Sequence, residues 1–100
     1  MQNYKNITYS MQLMNRLKNC RKEIDNIDKK IAELILSRFK LIKKISSFKK
    51  AYKIKILDKK RESQVINNIK KLSKPHRKFL FKIFKNMISY SKKLQIKQTR

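Results

Sequence analysis

Three short stretches of this chain hold side chains that chemistry could use. Residues 56–63, ILDKKRES, bring Asp58, Arg61 and Glu62 together, although the 100 residues contain only six acids against 29 lysines and arginines. Arg38 stands where the repeat that supplies Leu34 and Leu41 calls for carbon, and Lys49 follows eleven residues on. On a helix that is about 16 Å along and about 20° round the same face, close enough for both cations to converge on one small anion. Ser91 and Gln95 continue the stripe of Leu80, Phe84 and Met87, so a hydroxyl and an amide fall where the pattern buries carbon. Arg21 completes the set: with Arg38 and Arg61 it makes half of the six arginines in a chain of 23 lysines. Arginine's planar fork grips a carboxylate through two parallel hydrogen bonds, which lysine does not reproduce.

Each of these residues also has a plainer explanation. Asp58 is a good N-cap for a following helix, and Glu62 suits the positive end of its dipole. A capping box, however, places its acid at position 61, where this chain has Arg61. A seam arginine can reach past its neighbours to water or pair with an acid on another helix, but an unpaired buried guanidinium costs several kcal/mol. Lys49 alone is consistent with a solvated face. Ser91 and Gln95 are consistent with a stripe that is running out near the C-terminus. Arg21 lies 17 residues before Arg38, about 25 Å away and about 100° round a helix. The two arginines of one chain therefore cannot hold the same small molecule, whereas two long helices paired antiparallel bring Arg21 of one chain to Arg38 of the other.

The elements that position these residues are helical. With no glycine and a single proline the chain lacks the residues of tight turns, so the expected fold class is all-α. From Leu17 the apolar residues step by threes and fours through Cys20, Ile24, Ile27, Ile31 and Leu34, then Leu41, Ile45, Phe48 and Tyr52, with Ile35 and Ile42 widening the stripe. This predicts a first helix over residues 12–53, about 60 Å long. A compact domain of this size has a radius of gyration of about 13 Å, so such a helix needs a partner, and a second copy is the simplest source. A short helix over 59–72 presents Val65, Ile66, Ile69 and Leu72. The boundary Ser73-Lys74-Pro75 precedes a third helix over 76–96 that buries Phe79, Leu80, Ile83, Phe84, Met87, Ile88 and Leu94. Residues 1–11 are expected to be a flexible tail and 12–98 a single domain.

Cys20 belongs to the seam and His76 to a connection, and one cysteine forms no internal disulfide. No run approaches the ~20 apolar residues that span a bilayer, and the N-terminal stretch lacks the apolar core of a signal peptide, so a cytoplasmic location is expected. The net charge of +23 is spread along the chain beside 14 isoleucines and eight asparagines. That pattern fits drift in an A/T-rich genome better than the focused patch of a nucleic-acid binder.

The strings LKNCRKEIDNIDKKIAELILSRFKLIKKISSFKK, ILDKKRESQV and IFKNMISYSKKLQ closely resemble the all-helical AroQ class of chorismate mutases, over nearly the whole of residues 17–95. The matching motifs are Arg-x-x-Ile-Asp-x-Ile-Asp at 21–28, Asp-x-x-Arg-Glu at 58–62 and Ser-x-x-x-Gln at 91–95. Each is weak alone; in order and at this spacing they are specific. The resemblance implies an intertwined homodimer of three-helix chains that rearranges chorismate to prephenate on the way to phenylalanine and tyrosine. It also implies roles: Arg21 from the partner chain and Arg38 grip the two carboxylates, Arg61 supports that anion site, and Ser91 bonds a carboxylate. Lys49 and Gln95 bind the ether oxygen, while Glu62 and Asp58 hold the ring hydroxyl. No metal or cofactor is implied, because the rearrangement occurs within one molecule and needs no nucleophile or proton-transfer base. What helps is holding the reactive conformer and meeting the charge that develops on the breaking C–O bond.

Isochorismate pyruvate lyase, a related helical enzyme with a similar cationic pocket, is the alternative within the fold. A basic helical nucleic-acid binder accounts for the charge but not for Arg38 or the Asp58–Glu62 cluster. A bare coiled-coil module accounts for the seam and predicts that Arg38→Leu is harmless. With five residues after Gln95, no fused dehydratase, dehydrogenase or synthase domain is expected.

Overall fold

The computed structural model describes the backbone of residues 2–72 and 74–99 and the side chains of 7–72 and 74–97. Three helices follow in chain order: α1 (Gln2–Ala51), α2 (Lys59–Lys70) and α3 (Arg77–Thr99). Among the described residues there is no strand, as the composition predicts. Helix α1 begins at Gln2, not near residue 12 where the apolar period predicts its start. The reason is local: residues 2–11 hold neither glycine nor proline, so nothing interrupts the helical hydrogen bonding. Met1 and Ser73, the latter part of the expected second boundary, lie outside the described residues.

The chain divides into two units, Met1–Ser37 and Arg38–Arg100. The first is a single stretch of α1. Every described side chain in it from Ile7 to Leu34 is exposed, including the seam residues Leu17, Ile24, Ile27, Ile31 and Leu34.

The second unit holds the rest of α1 with α2 and α3. Here the structure separates two stripes that the sequence pattern merged. Arg38, Phe39, Ile42, Ser46 and Lys49 are half-buried or buried, whereas Leu41, Ile45, Phe48 and Tyr52 stay exposed. Arg38 thus belongs to the stripe that meets α3 in its own chain, not to the open apolar seam. The adjacent rings of Phe39 and Tyr90, tilted by 58° with centroids 4.9 Å apart, fix the register of α1 on α3. Along α3, Leu80, Ile83, Phe84, Met87, Ile88 and Leu94 are half-buried, and Ser91 and Gln95 fully so. Phe79, expected on the buried face of α3, is exposed, and so is Leu72. Phe79 sits about 100° round from Leu80, and Leu72 lies beyond the end of α2 at Lys70.

Two helix ends shape the site. Past Ala51 the chain turns through Lys53, which adopts φ 55°. Ile54 N–H then donates to Lys49 C=O (2.7 Å) and Lys53 N–H to Lys50 C=O (3.4 Å), the paired bonds of a Schellman stop. That position normally takes glycine, which this chain lacks. Helix α2 is capped as the sequence predicts: Asp58 Oδ1 accepts from Arg61 N–H at 3.0 Å, with Glu62 in the first turn.

Candidate active site

A hollow of about 250 Å³ opens within the second unit, near the small end of the range for small-molecule sites. Arg38 and Lys49 of α1, Asp58, Arg61 and Glu62 at the start of α2, and Ser91 and Gln95 of α3 all line it. Its apolar wall comes from Leu41, Ile42, Ile45, Ile56, Val65 and Ile88.

The polar contacts form two bridges between α1 and α3. Arg38 Nη1 donates to Ser91 Oγ at 2.9 Å, and Ser91 donates its own proton to Met87 C=O at 2.7 Å. Eleven residues along α1, Lys49 Nζ donates to Gln95 Oε1 at 3.2 Å and to Ile56 C=O at 2.9 Å. The second of these bonds depends on the Lys53 turn, which returns the chain past the end of α1. An ammonium has three donors, so one N–H of Lys49 remains for a ligand. Gln95 uses its carbonyl oxygen on Lys49 and one Nε2–H on Ser91 C=O at 3.4 Å. Its other N–H is likewise spare.

Burial holds the Arg38 guanidinium below its ordinary pKa, and the neighbouring Arg61 cation pushes it the same way. Arg61 is exposed, and its guanidinium reaches Gln64 Oε1 at the hydrogen-bond limit, 3.5 Å. Two mutually repelling cations therefore line one hollow, an arrangement that an anion relieves. Counting Arg38, Lys49, Arg61 and Lys92 against Asp58 and Glu62, the lining carries a net charge of two positive.

Lys92 is the charged lining residue that sequence reasoning missed. It ion-pairs with Glu62 across α2 and α3. In a chain of 23 lysines its type carries no signal, and only its place one turn after Ile88 could have marked it. Arg21 is exposed on α1 in the first unit and does not line the hollow. Among the described residues no group of three or more His, Cys, Asp or Glu side chains could hold a metal ion, and no helix is long and apolar enough to cross a membrane.

Residues 20–96 match the sequence profile of the family described as chorismate mutase type II. The chain belongs to that family. It is 37% identical over 86 residues to a chorismate mutase of Methanocaldococcus jannaschii, a match that covers 83% of this chain and 87% of the relative. No solved structure matches it significantly. The span assigned to chorismate mutase type II takes in Arg21 and every residue that lines the hollow.

Proposed function

We propose that this protein is a chorismate mutase that rearranges chorismate to prephenate in the hollow between α1, α2 and α3 of the second unit. The observation that carries this is the Lys49–Gln95 pair, 3.2 Å apart in the wall of a hollow with a surplus of two positive charges. Chorismate is a dianion, so the surplus matches its charge. Arg38 grips one of its carboxylates, with Arg61 supporting that anion site. In the rearrangement the ether C–O bond breaks as a new C–C bond forms in the same molecule, with no proton transferred. Negative charge grows on the ether oxygen, where the spare N–H groups of Lys49 and Gln95 meet it without reorganising. The apolar wall and the arginines hold the compact conformer from which the bond can form. Glu62 and Asp58 accept from the ring hydroxyl.

The reading includes a homodimer. The exposed seam residues, Leu17, Ile24, Ile27, Ile31 and Leu34 in the first unit and Leu41, Ile45 and Phe48 in the second, offer apolar surface that a second copy of α1 would cover. That copy would supply Arg21 to the site of its partner. A cytoplasmic location goes with this reading.

The test is incubation with chorismate and isochorismate separately. Prephenate from chorismate is expected. Pyruvate from isochorismate, with no prephenate from chorismate, would replace this reading by the lyase.

A further inference from the structure

The Glu62–Lys92 ion pair does more than close a gap. Beside the first hollow lies a second of about 470 Å³, lined by Lys70 and Lys85 among others. Glu62, Ile88 and Lys92 line both, so this trio is the wall between them. Glu62 Oε1 is shut off from solvent, and its charge partner is the Lys92 ammonium. A glutamate on such a wall has somewhere else to go: without a fixed partner its carboxylate can swing toward the lysines of the second hollow.

We infer that Lys92 is a positioning residue, whose ammonium holds the Glu62 carboxylate on the substrate side of the wall between the two hollows. This rests on the reading of the first hollow as the chorismate site with Glu62 accepting from the ring hydroxyl. That hydroxyl keeps its bonds through the rearrangement, so its contact is equally present in substrate and transition state. Weakening such a contact raises KM and leaves kcat alone.

The test is a double-mutant cycle of Lys92→Met, which keeps the stem and removes the charge, with Glu62→Gln, alongside Lys92→Arg. Lys92→Met is expected to raise KM for chorismate roughly tenfold with kcat within about twofold. Lys92→Arg should restore most of the loss. In the Glu62→Gln background, Lys92→Met should cost clearly less, only what the loss of one lining charge takes from dianion binding, because the rest of its effect runs through the carboxylate. If Lys92→Met matches the wild type, or costs as much with Gln at 62 as with Glu, Lys92 does not position Glu62. Should Lys92→Met fail to fold by circular dichroism, Lys92→Gln is read by the same criteria. A wild-type protein that makes no prephenate overturns the functional reading and this inference with it. A wild-type protein that makes prephenate but shows an additive cycle overturns the inference alone.

Discussion

Arg38 donates to Ser91 across 2.9 Å, and because Ser91 passes its own proton to the Met87 carbonyl, its hydroxyl faces Arg38 as an acceptor. The guanidinium is thus tied to the backbone of α3 through one oxygen. Ser91→Ala leaves that N–H of Arg38 without its partner in a half-buried place, and lets the side chain spread over several rotamers. A hydrogen bond to a charged group contributes about 1.5–3 kcal/mol. The expected loss in kcat/KM is therefore about tenfold or more. Steady-state kinetics check it, and an unchanged kcat/KM would mean that Arg38 is held by packing alone.

Removing the cations themselves should cost more. Lys49→Ala takes away a donor aimed at the developing charge, a loss of about 10²–10³ in kcat where such donors have been removed elsewhere. Arg38→Leu should reduce turnover by at least as large a factor, while the melting temperature holds or rises. Leucine at 38 ends both the burial of a charge and its repulsion by Arg61, the two effects that lower the pKa of Arg38. Activity lost with stability kept is the signature of a residue retained for function. Either variant with wild-type kcat/KM would remove that residue from the site.

Much of this site was legible because polar side chains interrupt apolar periods. Ser91 and Gln95 occupy positions where the helical repeat calls for carbon, and both turn inward; Arg38 turns inward too, though on the stripe of Ile42 and not on the Leu34–Leu41 seam that marked it. Asp58 was legible as a cap because its spacing from the first turn of α2 is local. Lys92 was not, since its meaning comes from Glu62 on another helix, and contact between helices leaves no period in the sequence. Nor did periodicity separate the two stripes of α1, because Arg38, Ile42 and Lys49 lie within one residue's rotation of Leu41, Ile45 and Phe48. Ten residues of additional helix at the N-terminus went unread because helix continues by default where no residue stops it.

The turn after α1 offers a stability test. A non-glycine residue in the left-handed region costs about 1–2 kcal/mol, part of which glycine gives back through its freer unfolded chain. Lys53→Gly is expected to stabilise the protein by about 0.5–1 kcal/mol, seen as a higher urea midpoint at unchanged slope. Activity should persist, because the Schellman bonds and the Lys49–Ile56 tie involve only backbone acceptors at this end. A lower midpoint would show that the Lys53 side chain makes a contact worth more than the relief of strain.

The homodimer and the sharing of Arg21 can be tested together by mixing inactive chains. Arg21→Ala should be nearly inactive if the partner's Arg21 binds a carboxylate, and so should Arg38→Leu. In a mixed dimer one site combines the intact Arg38 of the first variant with the intact Arg21 of the second, while the other site lacks both. Random exchange puts half of the dimers in this mixed form, so about a quarter of all sites recover full function. Unfolding the two variants together and refolding them should thus yield activity that neither shows alone. If Arg21 instead serves the site of its own chain, every mixed dimer has two damaged sites and no activity returns. The same preparation with Ile31→Lys added to both variants gives the control. A lysine in the exposed apolar seam should split the dimer on size-exclusion chromatography and abolish the recovery, whichever residues line the hollow.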